Sequence, residues 1–256
     1  MVDHVQSLAR GLAVIRAFSA AEPELTLSQV ARATGLSRAA ARRFLITLTD
    51  LGYVRSDGRL FALTPRVLEL GYAYLSSLSL PEVADPHLER LAAEVRESAS
   101  VAVLDGEDVV YVARVATARI MRVTINIGTR FPAYCTSMGR VLLAALPSEE
   151  LEAYLERAAL RRLTSHTIVL PAALRAELDD VRGRGWAMVD QELEEGLRSI
   201  AAPIRDRTGR TVAAVNVSTH ATRTSLQAVR RDLLPPLLAT AGKIEADLTS
   251  LNTARA

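Results

Sequence analysis

The sequence predicts an α+β protein in two parts, an N-terminal winged helix-turn-helix of about 65 residues and a larger C-terminal domain with an antiparallel sheet and flanking helices. Three observations carry this. A chain of 256 residues is too long for one small module and suits a short domain followed by one of about 170 residues. Near the front, two short capped helices separated by a glycine turn lead into a hairpin signal. Beyond residue 81, β-rich runs alternate with helical periodicity.

Composition narrows the class. Hydrophobic residues make up 49% and charged residues 23%, ordinary for a chain that buries a real core. No run of about 18 apolar residues occurs. The opening Met1 to Arg10 lacks the basic-then-apolar pattern of a signal peptide, so a cytoplasmic protein with no membrane partner is expected. The single cysteine, Cys135, forms no intramolecular disulfide, and His4, His87, His166 and His220 are scattered without ligand spacing, so neither a metal nor another cofactor is implied. Net charge is only +2, but residues 1–65 hold eight arginines against five acidic residues, a local +3, while the remainder comes to −1. Lys243 is the only lysine, a usage that fits the codon bias of a GC-rich genome.

The opening segment (Val5, Leu8, Leu12, Ile15, Phe18) reads as an amphipathic helix ending in the turn Ala20 to Pro23. Thr26 with Gln29 makes a capping box for a helix Leu27 to Thr34 that closes at Gly35. Ser37 caps a second helix in which Ala40, Ala41, Phe44, Leu45, Leu48 and Leu51 fall on one side. Ala39, Arg42, Arg43 and Ile46 then face outward, with Arg38 at the flank, and Gly52 stops the helix. This layout places a recognition helix in the major groove of double-stranded operator DNA. Tyr53 to Arg55 and Leu60 to Leu63 flank Asp57-Gly58, a pair suited to a type I′ hairpin turn. That hairpin is the expected wing, with Arg55 and Arg59 set to meet phosphates. The candidate DNA contacts are therefore Ser37, Arg38, Ala39, Arg42, Arg43, Arg55 and Arg59. Thr64-Pro65 starts a further helix with an apolar stripe to Leu80, expected to link the domains and pack on a partner subunit. The domain expectation is 1–65 for DNA binding, 66–80 for the linker helix and 81–256 for the larger domain.

In that larger domain the pattern gives a helix Glu82 to Glu97 and strands Val101 to Leu104 and Val109 to Val115 about Gly106. A strand Arg122 to Ile127 and a loop punctuated by Gly128 and Pro132 follow, then a helix Ser137 to Leu146 and a Ser148-capped helix to Ala158. A helix Pro171 to Arg182, strands Trp186 to Val189, Ser199 to Ile204 and Thr211 to Val217, and a long helix from Ser225 to Thr249 complete it.

A ligand site is expected where the loop Tyr134, Cys135, Thr136 runs into a helix N-terminus at Ser137, Met138 and Gly139, because free N–H groups and the helix dipole favour an anion there. Arg119, Arg122 and Arg130 offer countercharge, and Phe131 and Tyr134 flat apolar surface. The plainer readings stay open: Ser137 caps its helix, Asp190 is a strand-end turn residue, and Asn216 satisfies a buried backbone group. Cys135 lies in no nucleophile signature and reads as a buried or pocket-lining thiol.

The segment Ser7 to Val54, ending TLSQVARATGLSRAAARRFLITLTDLGYV, resembles the DNA-binding domain of the IclR family of bacterial regulators. RIMRVTINIGTRFPAYCTSMGRVLLAALP, from Arg119 to Pro147, resembles the branch governing breakdown of protocatechuate and 4-hydroxybenzoate through the β-ketoadipate pathway, and DQELEEGLRSIAAPI and AAVNVSTH continue the family pattern. The resemblance implies a GAF/PAS-like effector domain, a small carboxylic acid effector and a homodimer or dimer of dimers. It also implies a pocket lined at Ile120, Ser137, Met138, Asp190, Ser199, Asn216 and Ser218, with Ser199 where related pockets carry cysteine and Met138 where they carry a smaller residue. Two alternatives of other classes stand beside the regulator: a hydrolase or acyl transferase with a fused DNA-binding domain, and a DNA-binding structural protein whose second domain only oligomerises.

Overall fold

A computed structural model describes the backbone of residues 5–19, 21–70, 79–117 and 125–254. The chain divides into two compact units, Met1–Ser77 and Leu78–Ala256.

In the first unit, helices α1 (Gln6–Arg16), α2 (Leu27–Thr34) and α3 (Arg38–Asp50) pack around Val14, Val30, Ala41, Leu45 and Leu48. The Thr26 capping box opens α2: Thr26 Oγ1 accepts the Gln29 N–H at 3.3 Å, and Gln29 Oε1 accepts the Thr26 N–H at 2.8 Å. Gly35, at φ +66°, closes it, with the Leu36 N–H returning to the Ala31 carbonyl at 3.0 Å. Ser37 caps α3 by accepting the Ala40 N–H at 3.2 Å. Gly52, at φ +79°, ends α3 the same way, with the Tyr53 N–H on the Leu48 carbonyl at 2.9 Å. Leu51, expected on the packed face, sits at this helix end and is exposed.

Strands β2 (Val54–Ser56) and β3 (Leu60–Leu63) form the wing hairpin. The periodicity missed β1 (Glu24–Thr26), a three-residue strand that pairs antiparallel with β3. The type I′ expectation for Asp57-Gly58 fails. Of the loop residues only Gly58 has positive φ, +96°, whereas a I′ turn needs two such residues. Asp57 instead uses its carboxylate, which accepts the N–H groups of Arg59 at 2.8 Å and Leu60 at 2.7 Å, an Asx-type turn. After it, Thr64 accepts the Arg66 N–H at 3.3 Å to open a short 3₁₀ turn, Pro65–Leu68. Most of the expected linker helix, residues 71–78, lies outside the described residues.

The second unit is a six-stranded antiparallel sheet in the order β6-β5-β4-β9-β8-β7. Its strands are β4 (Ser98–Asp105), β5 (Asp108–Val115), β6 (Arg130–Pro132), β7 (Ala187–Asp190), β8 (Leu197–Arg205) and β9 (Thr211–His220). Alternation assigns its faces. Ala99, Val101, Ile200, Ala202, Val215 and Val217 pack under α4 (Ser79–Val95) and the C-terminal helix. On the opposite face Ala102, Tyr111, Ala201 and Ala214 pack under α5 (Ser137–Ala144), α6 (Ser148–Arg157) and α7 (Pro171–Arg184). The C-terminal helix runs through α8 (Leu226–Ala228), a π turn (Val229–Leu233) and α9 (Leu234–Ala254). Pro235 and Pro236 lack the N–H that an α-helix needs, and the wider turn just before them takes up the ring clash.

Three local expectations change. The strand Arg122 to Ile127 falls partly outside the described residues, and residues 125–127 are not strand. The loop before Pro132 contains β6, which pairs Phe131 with Val109. Ser148 is the first residue of α6 rather than its cap, which is Pro147.

Candidate functional sites: a cationic helix face and a polar cleft

The outward face of α3 is open along its length. Ser37, Arg38, Ala39, Arg42, Arg43 and Ile46 are all exposed, and Arg38, Arg42 and Arg43 have no carboxylate partner among the described residues. Ile46, 44% exposed, follows Arg42 and Arg43 by one turn on this face, so an apolar contact lies beside the cationic side chains. The wing differs from expectation at one position. Arg55 Nη2 lies 3.1 Å from Glu24 Oε1 on the unforeseen β1, whereas Arg59 at the tip is exposed and makes no salt bridge among the described residues. The N–H groups of Leu60 and Arg59 hold the Asp57 carboxyl below the usual carboxylate range, so the wing tip carries a fixed negative charge beside Arg59.

The second site lies between α5 and the sheet. Tyr111, Cys135, Thr136, Ser137, Val189, Leu193, Leu197, Ser199, Asn216 and Ser218 line a narrow cleft with about 10 Å³ of room, about what one water molecule needs. The fold explains why these residues meet. Ser199, Asn216 and Ser218 point to the α5 side because their strand neighbours Ile200, Val215 and Val217 point into the opposite core. Thr136 is the N-cap of α5, its Oγ1 accepting the Gly139 N–H at 3.1 Å, which leaves the next residue, Ser137, with no capping duty. Ser137 is 1% exposed, and its Oγ finds no hydrogen-bond partner among the described residues. The same holds for Asn216 Oδ1, while Asn216 Nδ2 donates to Ser218 Oγ at 3.1 Å. Two orphaned polar atoms thus face one cleft at a helix N-terminus whose first N–H groups also lack helical partners.

Around this cleft the chain is tightly held. A Cβ on Gly139 would lie 2.1 Å from the Ala133 carbonyl oxygen, so only glycine lets α5 meet the turn Ala133–Cys135. Arg140, 2% exposed, reaches Glu192 at 2.6 Å and donates from Nε to the Tyr134 carbonyl at 3.1 Å. Glu192 also accepts the Ile168 N–H at 3.0 Å, so one buried ion pair ties α5 to the β7–β8 loop. Cys135 is buried, and desolvation pushes its thiol up to about 12, which keeps it protonated, unlike the thiolate a nucleophile needs.

Of the expected ligand residues, Thr136, Ser137, Ser199, Asn216 and Ser218 come together here. Arg119 and Ile120, with Arg122, lie outside the described residues. Arg130 is engaged elsewhere, on Asp105 at 2.6 Å and Asp108 at 3.1 Å, because β6 places it beside the β4–β5 turn. Tyr134 turns away from the cleft: its hydroxyl donates to the Arg161 carbonyl at 2.7 Å and accepts the Arg161 N–H at 3.1 Å. Met138 is fully buried in the core, and Asp190 is held by Arg198 at 2.8 Å. Sequence reasoning missed Tyr111, Val189, Leu193 and Leu197, apolar residues whose place in the cleft depends on strand order rather than on any local signal.

Residues 7–58 match the model of the IclR helix-turn-helix domain, and residues 72–246 match that of the C-terminal domain of IclR bacterial transcriptional regulators. The Pca regulon regulatory protein of Pseudomonas putida is 50% identical over 238 residues, covering 93% of this chain and 82% of the relative. The p-hydroxybenzoate hydroxylase transcriptional activator of Acinetobacter baylyi is 39% identical over 247 residues, covering 94% and 91%. Among solved structures, a transcriptional regulator from Rhodococcus sp. RHA1 is 62% identical with a TM-score of 0.87, over 97% of this chain and 100% of that one. A homolog from Microbacterium hydrocarbonoxydans, solved with 4-hydroxybenzoate, is 28% identical with a TM-score of 0.83, over 94% and 98%.

Proposed function

From the premise that this chain belongs to the IclR family of bacterial transcriptional regulators, we propose that it controls genes for aromatic-acid breakdown and that its effector is a small hydroxylated aromatic acid bound in the cleft under α5. Its family and relatives are regulators and not enzymes, which sets aside the hydrolase or acyl-transferase alternative. The observation that carries the effector reading is the pair of orphaned buried atoms, Ser137 Oγ and Asn216 Oδ1, in one cleft at a helix N-terminus. A carboxylate would take the Ser137 O–H and the free N–H groups of α5, and a ring hydroxyl would donate to Asn216 Oδ1. A hydroxybenzoate carries both groups, and a relative of this fold is known in complex with one.

In this reading residues 1–65 bind DNA, 66–80 link, and 81–256 sense the acid. Arg38, Arg42, Arg43 and Arg59 meet phosphates or base edges, with Ile46 offering an apolar contact to a thymine methyl. A homodimer, or a dimer of dimers, sets recognition helices in major grooves about 10 bp apart or at multiples of that spacing. The work is done on cytoplasmic DNA, and no helix among the described residues is long and apolar enough to cross a membrane.

Fluorescence-anisotropy titration of the DNA upstream of its own and adjacent genes tests this, with and without protocatechuate, 4-hydroxybenzoate and β-ketoadipate, at two salt concentrations and against a scrambled duplex. Specific, salt-sensitive binding modulated by one of the acids is expected. Linkage then requires DNA to alter acid affinity by the same factor, and unequal factors sink the two-state account.

A further inference from the structure

A carboxylate drawn into a buried cleft is held better by a full positive charge, and a helix N-terminus supplies only about half of one. Among the described residues of the second unit, four arginines are buried or half-buried: Arg114, Arg140, Arg175 and Arg198. Three already hold a carboxylate, Arg140 on Glu192 at 2.6 Å, Arg198 on Asp190 at 2.8 Å and Arg175 on Glu152. Arg114 holds none among the described residues, and the residues of this unit outside that set carry no Asp or Glu side chain. Its Nη1 donates to the neutral Ser100 Oγ at 3.2 Å.

Register places this guanidinium on the cleft side. Arg114 on β5 pairs with Ser100 on β4, and Ser100 pairs with Asn216 on β9, so the three form one row across the sheet. The strand neighbours of Ser100 and Asn216 point into the opposite core, which puts Arg114, bonded to Ser100, on the Asn216 face. Strand spacing of about 4.8 Å leaves its long side chain roughly one strand away from the orphaned Asn216 Oδ1. Tyr111, which lines the cleft, lies close enough to couple electrostatically with Arg114, and burial disfavours the Arg114 charge. A cation made costly by burial and left without an anion is completed by an anionic ligand.

We propose that Arg114 is the counter-ion of the effector carboxylate and so sets the preference of this cleft for acids over their neutral analogues. The proposal rests on the acid-effector reading above and adds the residue that selects charge.

Isothermal titration of the full chain with 4-hydroxybenzoate and its neutral isostere 4-hydroxybenzamide tests it, comparing wild type with Arg114→Gln and Arg114→Lys. Arg114→Gln should weaken the acid roughly tenfold or more while leaving the amide within about twofold, and should not lower thermal stability. Arg114→Lys keeps the charge but loses the planar fork, so its acid-to-amide preference should fall below that of wild type, a comparison that stands even where the Gln variant fails to fold. Equal loss for acid and amide would make Arg114 a packing residue and overturn the proposal, as would unchanged acid binding. Wild type binding neither compound would overturn the aromatic-acid reading itself, and this assignment with it, before any variant is compared.

Discussion

Replacing Ser137 with Ala should move stability and ligand affinity in opposite directions. The Ser137 hydroxyl is 1% exposed and has no hydrogen-bond partner among the described residues, so folding strips it of water without return. A buried unsatisfied hydroxyl costs about 1–3 kcal/mol, and deleting it removes that cost while leaving only a one-atom gap. Allowing for the lost packing, Ser137→Ala should gain about 1 kcal/mol, a rise of about 2–4 °C in the melting temperature of a unit this size. The same oxygen is proposed to donate to the effector carboxylate, and a hydrogen bond to a charged group is worth about 1.5–3 kcal/mol, so acid affinity should fall roughly tenfold or more. Its neighbour provides the contrast. Thr136 caps α5 through the Gly139 N–H, so Thr136→Ala should lose about 1 kcal/mol of stability. Thermal melts and calorimetry on both variants check this. A Ser137→Ala protein less stable than wild type by more than about 1 kcal/mol would refute the claim that the hydroxyl is orphaned. Unchanged acid binding would remove it from the site.

Four further outcomes follow from the same geometry. Gly139→Ala gains up to about 1 kcal/mol of helix propensity but sets a Cβ 2.1 Å from the Ala133 oxygen, so denaturant melts should show a net loss of about 1–3 kcal/mol or more. Arg140→Ala strands Glu192 in the interior and should cost about 3–5 kcal/mol, whereas Arg140→Met with Glu192→Leu should recover much of that; equal losses would discredit the ion pair as a coupled unit. With its thiol pushed up to about 12 by burial, Cys135 should resist iodoacetamide in the native protein from pH 7 to 9 and react fast in urea, and rapid native alkylation at neutral pH would contradict that. Arg42→Ala should weaken operator binding by about 1–3 kcal/mol if it reads a base, or lower the salt slope by about 0.9 if it meets a phosphate, while Arg55→Ala, already paired with Glu24, should cost less; gel shifts at several salt concentrations separate these cases.

The first unit was legible because its signals are local. Thr26 with Gln29, Gly35, Ser37 and Gly52 each act within one turn of themselves, the first and third by side-chain caps and the two glycines by the positive φ that the lack of a Cβ allows. The failures come where a distant partner or a competing bond decides. β1 is three residues long, too short for a period, and exists because β3 pairs with it more than thirty residues later. At Asp57 the carboxylate had a choice between allowing positive φ and binding two N–H groups, and the second won. In the cleft, Ser137, Ser199, Asn216 and Ser218 were named by resemblance, but the countercharge was sought near them in sequence and Arg130 proved to belong to two aspartates. In β5 one arginine, Arg114, interrupts the otherwise apolar run VVYVARV, a place in a strand where an unpaired cation is uncommon. Arg140 went unnoticed in the sequence, because only the structure shows that every residue of its helix is buried.

Cleft size adds the link between binding and response. Sites for small organic ligands typically offer about 300–1,000 Å³, far above the roughly one-water volume of the present cleft, so an aromatic acid cannot enter with the lining where it is. Something must yield, and the restraints indicate what. The sheet floor is fixed by β4, β8 and β9, and α5 is locked onto the Ala133–Cys135 turn by the Gly139 contact. Leu193 and Leu197 sit on or beside the β7–β8 loop, where Gln191 holds a left-handed φ of +61°, Glu192 pairs with Arg140, and the Gln191 and Glu192 carbonyls accept the Thr164 and Thr167 hydroxyls at 2.7 Å each. On the effector reading proposed above, opening works against these contacts, and part of the acid's binding energy goes into displacing the loop. A ligand that binds only when the loop has moved has, by that fact, a differential affinity for two arrangements of the domain, which is the thermodynamic requirement for a small molecule to shift a regulator between states.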